Sequence, residues 1–446
     1  MQIALVVPDF LSGTSFLQQP LDFLYSAKLL ENKGYSVKVT DCRINHLSFK
    51  HLTDKLQGSD LIVVTTTPCD QVQNYFLDYR YSYAVQTINH IKAHFTNIPV
   101  VVCGAHSSIR PDLVLKEANC DILIKGEIYT TLLLLADAVK RKDSLSSVPN
   151  IIYKTKDGVK ETEVDANLYH PTIPDDVFPA YEKVNMSAYF GDYYENNVPL
   201  RKRHRVVMQG GRGCPFSCTF CHNFYGKHIK RRSVEAVIHE MEICKQTYDT
   251  KDIFFLDEVF TLDRKWVLEL CNEMQRRSLS FDISAQTRID CLDSEMLQQM
   301  SKAGFKNLWI GVESANDHIL ELSHKGTQID DINHSIDMIR AAKIDPYAFF
   351  MLGMPGENID TLNETLRQIY NYKVPYTRSI MICTPRYGTP YYQLALKQYP
   401  NLGEHWFNLN AVKGLIANEM TPSLLQKAKA ILKSRDFIYQ PQCPQI

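Results

Sequence analysis

The sequence predicts an α/β protein in three parts: a doubly wound parallel sheet, a partial (β/α)6 barrel and a short helical tail. Three observations carry this. Residues 1–145 hold five short, apolar, β-branched runs separated by helix-length segments, and from Val206 six more such runs follow at intervals of about 25 to 45 residues. Strands this apolar are buried on both faces, which is the condition of a parallel sheet covered by helices. The length, 446 residues, exceeds what one core organises and predicts two or three folding units.

The first runs are IALVV (3–7), YSVKVT (35–40), LIVVTTT (61–67), PVVVCG (99–104) and DILIKG (121–126). Between the first two, LDFLYSAKLLENKG reads as a helix closed by a C-terminal glycine. This part, residues 1–145, is expected to be flavodoxin-like. Residues 146–200 change character, with a hairpin expected around Asp157 and Gly158 and then YHPTIPDDVFPAYEKV, rich in proline, aromatics and acid. They read as a linker that packs along a surface. The second set of runs, VVMQGG, DIFFLD, FDISAQ, NLWIGVE, YAFFMLG and SIMICTP, places a barrel in residues 201–385, with its site at the C-terminal ends of the strands. Residues 386–446 read as a helical cap over the substrate. Beyond the β/α alternation the sequence shows no repeat of 20 to 50 residues and no low-complexity segment.

Charge excludes some functions. Lys plus Arg (49) nearly balances Asp plus Glu (50), so no global field favours nucleic acid or an acidic membrane surface. The N-terminus MQIALVVPDF lacks the basic and apolar regions of a leader, and no run approaches the roughly 18 apolar residues of a spanning helix. A cytoplasmic location is expected, with the twelve cysteines as reduced thiols plus a metal site.

The stretch GRGCPFSCTFCHN (211–223) puts Cys214, Cys218 and Cys221 at C-x3-C-x2-C spacing directly after the strand VVMQGG. A structural zinc site normally has four ligands, and no second close pair of Cys or His completes this one, so zinc is the weaker reading. Thiolates also hold iron–sulfur clusters, and three cysteines on one loop can ligate three irons of a 4Fe–4S cube while leaving the fourth open. Ordinary core cysteines have no reason to adopt this spacing on a glycine-rich loop.

With Phe220 just before the third cysteine, at the first strand of a β/α barrel, this motif resembles the radical S-adenosylmethionine superfamily. The resemblance implies a 4Fe–4S cluster whose open iron binds the amino and carboxylate groups of S-adenosylmethionine, and whose electron cleaves it to methionine and a 5′-deoxyadenosyl radical. It implies further contacts with S-adenosylmethionine. Asp257 and Glu258 in FFLDEVFTLD are suited to accept hydrogen bonds from an ammonium, although many relatives carry GGE there and which carboxylate acts stays open. Gln286 in SAQTRID is matched to a ribose and Arg288 to a carboxylate, Glu313 in GVES to the ribose, and FMLGMPGE (350–357) to the neighbourhood of the adenine. The alternative for each is a strand-end polar residue satisfied by the backbone. GKHIKRRS (226–233) is either a solvated face or a partner of the anionic cluster and cofactor, and KGTQ (325–328) has no role assigned.

CGAHSSIRP after the fourth strand and KGEIYTTL after the fifth, ahead of such a barrel, resemble the cobalamin-binding domains of the cobalamin-dependent radical group. Gly104 allows close backbone approach, while His106, Ser107 and Ser108 open a helical turn whose N–H groups suit the phosphate of the nucleotide tail. Gly126 and Glu127 are expected to line the same groove, and Thr65, Thr66 and Cys69 to approach the corrin or, alternatively, to form a helix start with a buried thiol. The DxHxxG motif of the mutases is absent, since the loop after the first strand reads PDFLSGTSFLQQP and the first histidine is His46. A loop-one histidine below the cobalt is therefore not expected. Together the resemblances imply an enzyme that methylates an unactivated carbon of a small molecule or peptide, fed by a flavodoxin or ferredoxin. The alternatives are the same cofactors used for cyclisation, ring rearrangement or anaerobic oxidation, and a non-catalytic iron–sulfur or corrinoid sensor. Cys42, Cys103, Cys120, Cys244, Cys271, Cys291 and Cys383 lie in apolar periodic settings and read as core, as does the tyrosine-rich run YFLDYRYSYAV (75–85).

Overall fold

In the computed structural model, residues 1–9, 17–44, 46–66, 81–170, 172–190, 194–195, 198–199, 204–373, 379–400 and 422–433 are described. The run QIALVV forms β1 (Gln2–Val7), buried at every position but the first. Such a strand belongs inside a sheet, and β2 (Ser36–Asp41) and β3 (Leu61–Thr65) flank it in parallel. Parallel β4 (Val100–Cys103) and β5 (Ile122–Ile124) extend the sheet. The expected hairpin, β6 (Ile151–Thr155) and β7 (Gly158–Glu161), is part of this sheet, because β6 pairs antiparallel with β5. The order β2-β1-β3-β4-β5-β6-β7 begins as a doubly wound sheet does.

Alternation along β1 sends its side chains to two separate cores. Ile3, Leu5 and Val7 pack with α1 (Leu21–Glu31) and α6 (Tyr129–Arg141), whereas Ala4 and Val6 pack with α2 (Phe49–Leu56), α3 (Tyr81–His94) and α5 (Pro111–Glu117). The short α4 (Ala105–Ile109) starts at the C-terminal end of β4. Next come α7 (Ala166–Tyr169) and the two-residue strands β8 (Tyr194–Glu195) and β9 (Val198–Pro199).

The second sheet has six strands, each parallel to its neighbours: β10 (Arg205–Met208), β13 (Asp252–Phe255), β14 (Asp282–Thr287), β15 (Phe305–Glu313), β16 (Asp345–Leu352) and β17 (Ile380–Ile382). Sequential order with helical returns makes an open, partial barrel. Its helices are α8 (Val234–Tyr248), α9 (Arg264–Arg276), α10 (Ser294–Ala303), α11 (Asp317–Leu322), α12 (Ile329–Ala341) and α13 (Ile359–Tyr372). Ser233, Asp263, Asp293, Asn316 and Asn358 each cap a helix start by accepting a backbone N–H, a bond worth about 1 kcal/mol. On β15, Leu308, Ile310 and Val312 are fully buried in the core, while Trp309, Gly311 and Glu313 face a cavity at the strand ends. A two-stranded ladder of β11 (Gly211–Arg212) and β12 (Lys230–Arg231) brackets the cysteine loop.

The two sheets share packing. Leu21, Leu24 and Tyr25 of α1 and Tyr129 of α6 belong to the core of the second sheet. A later helix, Pro390–Gln398, seats Tyr391 and Tyr392 against Met351 and Met354. Among the described residues no helix is long and apolar enough to cross a membrane.

Candidate functional site

The cysteine loop is closed by backbone that tolerates no side chain at its entry. Gly213 has φ +98°, and a Cβ there would lie 2.3 Å from the carbonyl of His228. Beyond it Cys214 N donates to Gly226 O (3.0 Å), Cys221 N to Cys218 O (3.1 Å) and Thr219 N to Ser323 O (2.9 Å), while the Asn223 amide donates to Cys214 O. The loop is thereby fixed at both ends and in its middle. Cys214 and Cys218 are half-buried, Cys221 is exposed, and all three line one cavity of about 580 Å3. Burial pushes the Cys214 thiol above its ordinary pKa. Among the described residues no three His, Cys, Asp or Glu side chains gather tightly enough to hold a single metal ion. A cube takes each thiolate on a different iron, so its ligands need not converge on a point.

The strand ends supply the opposite wall. Of the two adjacent acids, Glu258 lines the cavity and accepts from Gly213 N (3.1 Å), whereas Asp257 is buried behind it, accepting from Gly210 N (2.9 Å) and from Arg231. Burial raises the pKa of Asp257 although Arg231 opposes the shift. Gln286 and Phe220 also line the cavity, the latter packing against the Met351 cluster. Arg288 lines it too, but its guanidinium is engaged with Asp290, with Lys325 O and with Cys218 Sγ. Glu313 stands in the left-handed region at φ +71° after an irregularity in the β15–β16 register, a costly conformation for a residue with a side chain. It accepts from Lys325 Nζ at 2.9 Å, and both are buried. Gly311 makes the room, since a Cβ there would sit 2.3 Å from Glu313 Oε1 and 2.7 Å from Lys325 Nζ.

The basic stretch divides: its two arginines turn inward, while Lys227 is exposed and lines the three-cysteine cavity. Arg231 pairs with buried Asp257, and Arg232 donates to fully buried Glu240 at 2.6 Å. Lys227 reaches the cysteine loop with its side chain, donating to Ser217 Oγ (3.0 Å) and to Phe216 O.

At the C-terminal ends of the inner strands of the first sheet, Gly104 follows β4 with φ +106° and begins α4. Ser107 Oγ donates to Gly104 O (2.9 Å) or Ile124 O (2.7 Å), and Ser108 Oγ accepts from Gly126 N (2.8 Å), so both hydroxyls are turned onto backbone. His106 is fully buried with its ring 4.5 Å from that of Tyr81. Thr65 is buried, and Thr66 Oγ1 donates to Cys103 O (3.1 Å). Gly126 has φ +76°, and the place of its Cβ is taken by Tyr169, whose carbonyl would be 2.6 Å away. Glu127 is buried between Arg212 and His170, the latter at 3.4 Å. Cys69, most of the loop after β1 (residues 10–16) and the first part of the tyrosine-rich run lie outside the described residues.

This end of the sheet touches the cavity wall. Ala105 packs against Phe224 and Tyr225, which follow Cys221 closely and line the cavity, and the Arg110 guanidinium lies 4.7 Å over the Tyr387 ring. Trp309, Met381 and Arg386 line the cavity without a motif in the sequence, whereas Met351 lies within FMLGMPGE. Alternation along NLWIGVE was the signal available for Trp309, since every second residue of a barrel strand faces inward. Arg386 also bears on His222, whose pKa burial and then this positive charge lower to about 4. Two cysteines read as core behave otherwise: Cys383, though buried, lines the cavity, and Cys291 is half-buried beside Asp290 because its loop follows a strand end.

Residues 208–369 match the Radical SAM superfamily. An uncharacterized methyltransferase of Pyrococcus horikoshii is 26% identical, covering 96% of this chain and 91% of that protein. An anaerobic magnesium-protoporphyrin IX monomethyl ester cyclase of Rubrivivax gelatinosus is 27% identical over 82% of this chain and 65% of its own length. Among solved structures, the cobalamin-dependent S-adenosylmethionine radical enzyme OxsB with aqua-cobalamin and S-adenosylmethionine bound superposes with a TM-score of 0.76 at 16% identity, covering 96% of this chain and 66% of that one. At that identity the likeness is one of fold, and the chain spans just under two thirds of both the cyclase and OxsB.

Proposed function

The chain carries a radical SAM domain, and from that premise we propose that it is a cobalamin-dependent radical enzyme that methylates an unactivated carbon of a small-molecule or peptide substrate. When bound, the cluster and S-adenosylmethionine supply hydrogen-atom abstraction and the corrinoid supplies the methyl group; these are the steps protein side chains do not perform.

The residues present fit both groups. Cys214, Cys218 and Cys221 open into one cavity from a loop that Gly213 allows to turn, which suits three-point ligation of a cube. Glu258, Gln286 and Glu313 all line this cavity, and in this reading Glu258 would accept from the ammonium and Gln286 and Glu313 would hold the ribose, with Lys325 paired to Glu313. Gly104, at φ +106°, is the small residue of this region that a flat macrocycle would approach, since Ala105 is covered by Phe224 and Tyr225 and at Gly126 the space belongs to Tyr169. Phe224 and Tyr225 then stand between the two groups and keep water from the cavity on that side.

The single observation that carries this is the contact of Ala105 with Phe224 and Tyr225, which brings the strand ends of a corrinoid-type sheet against the wall of the three-cysteine cavity. Residues 1–161, whose last hairpin completes the first sheet, would serve the corrinoid, 201–385 the radical chemistry and 386–446 the substrate. A low-potential donor such as flavodoxin or ferredoxin in the cytoplasm would supply electrons.

The test is anaerobic reconstitution with iron and sulfide, then hydroxocobalamin, S-adenosylmethionine and a strong reductant, followed by visible spectroscopy and analysis of small products. Bound corrinoid converting to methylcobalamin, with S-adenosylhomocysteine and 5′-deoxyadenosine formed, supports the proposal, and Cys218→Ala should abolish the deoxyadenosine. Bound corrinoid and deoxyadenosine without S-adenosylhomocysteine would favour methyl-free chemistry, the class to which the name of the cyclase relative belongs. Failure to bind any corrinoid would sink methyl transfer, and absence of deoxyadenosine with every reductant would point to a sensor.

A further inference from the structure

Resting on the reading that Cys214, Cys218 and Cys221 hold the cluster, we infer that Arg288 is a positioning residue for Cys218 that sets how readily the cluster accepts its electron, and not the clamp on a carboxylate. The guanidinium is buried at the end of β14. Its Nε and Nη2 donate to the two oxygens of Asp290 at 2.9 and 2.8 Å, and Nη2 also donates to Lys325 O at 2.5 Å. Nη1 donates to Cys218 Sγ at 3.5 Å, and the guanidinium carbon lies over the Phe216 ring, 3.7 Å from its centroid.

An arginine has five N–H donors, and bidentate grip on a carboxylate needs two of them parallel. Four are spoken for here, so a second fork cannot form without dismantling the first. The string that results is continuous: Cys218 to Arg288, Arg288 to the Lys325 carbonyl, and Lys325 Nζ to Glu313. It ties a cluster ligand to Glu313, which lines the same cavity.

A cation and an N–H donor held against a ligating sulfur in a water-poor site stabilise the extra electron of the reduced cluster, because the sulfur's negative charge rises on reduction. Asp290 offsets part of that charge but lies on the far side of the fork. Removing the guanidinium should therefore make the cluster harder to reduce while leaving S-adenosylmethionine binding largely in place.

The experiment is a reductant titration of the reconstituted, S-adenosylmethionine-free protein followed by electron paramagnetic resonance, together with equilibrium binding of S-adenosylmethionine, for wild type, Arg288→Gln and Arg288→Lys. The expected result for Arg288→Gln is about a tenfold lower ratio of reduced to oxidised cluster at a fixed poise, equivalent to about 59 mV for a one-electron couple, with affinity within about threefold of wild type. Arg288→Lys, which keeps charge and one donor, should recover most of the ratio. Loss of affinity of tenfold or more with the ratio unchanged overturns the inference in favour of the carboxylate clamp, and so does no change in either quantity. If Arg288→Gln assembles no cluster by iron content, Arg288→Lys and Phe216→Leu decide: both should shift the ratio in the same direction by less, and an unshifted ratio in both refutes the role. If wild type takes up no cluster, it is the underlying reading that has failed.

Discussion

Arg212, at the mouth of the cysteine loop, reaches across the junction of the two sheets to Glu127 at the end of β5, and the two close a buried ion pair. Arg212 also contacts Asp22 (3.2 Å) and Gln209 (2.7 Å), and its guanidinium lies 4.7 Å from the Tyr129 ring centre and 5.3 Å from that of Tyr225. The loop is thus held in place by the first sheet as well as by its own barrel. Truncating Glu127 leaves Arg212 with Asp22 as its remaining counter-charge, so Glu127→Ala should destabilise the protein by about 1 to 3 kcal/mol, less than a fully stranded charge would. The Glu127→Ala, Arg212→Met double variant should recover much of that, since neither charge then remains. Denaturant unfolding of wild type, Glu127→Ala, Arg212→Met and the double variant closes the cycle, and additive effects would show that the pair is not coupled.

A second buried carboxylate joins the layers farther from the cavity. Glu240 accepts from Arg232 (2.6 Å), Tyr181 OH (2.8 Å) and Tyr25 OH (3.2 Å), the last from α1 of the first sheet. Tyr181→Phe removes one bond to a charged acceptor and should cost about 1.5 to 3 kcal/mol. Glu240→Gln leaves the Arg232 cation buried without its counter-charge and should cost more, about 3 to 5 kcal/mol. Chemical denaturation would settle the order, and a milder Glu240→Gln would mean that water reaches Arg232.

Local signals in the sequence located the strands and the loop, and long-range pairings stayed hidden in it. Runs such as LIVVTTT and DIFFLD announce buried strands because composition alone reports burial on both faces. The cysteine spacing is equally local. Which of Asp257 and Glu258 faces the cavity was not legible, since neighbours at a strand end point oppositely and the irregular residues after β13 reset the alternation. The inward pairing of the arginines of GKHIKRRS stayed hidden, behind the readings of a solvated face or a partner of the cluster, because Asp257 and Glu240, which draw them inward, lie on other elements. Lys325 had no assignable role for the same reason: its partner Glu313 is on a strand that α11 separates from it.

Gly311 tests that last pairing. Gly311→Ala places a methyl group where Glu313 Oε1 and Lys325 Nζ now sit, so one of them must swing away while the strand stays buried. With Glu313 already at φ +71°, the carboxylate has little freedom to compensate. The expected outcome is a protein that folds and takes up its cluster but binds S-adenosylmethionine about tenfold more weakly, a loss of about 1.4 kcal/mol. Equilibrium dialysis with labelled cofactor measures it, and unchanged affinity would remove Glu313 from the cofactor site.

Glu357 gives the protein a pH dependence with a definite sign. It is 1% exposed, one oxygen accepts from Gly353 N at the end of β16, and the other is buried without a hydrogen-bond partner among the described residues. Burial raises its pKa from 4.5 to about 7, against the pull of the Gly353 and Met354 N–H groups. The folded protein therefore holds a proton that the unfolded chain releases near pH 4.5, and the folded state is favoured by this group at low pH. As pH rises from about 4.5 through about 7 the contribution is lost, on the order of 3 kcal/mol, and above that it is flat. Glu357→Gln stays neutral throughout and keeps an acceptor for Gly353 N. The difference in unfolding free energy, wild type minus variant, should fall across that window and level off above it. A difference that instead rises with pH would mean that the carboxylate is ionised and paired in the folded state.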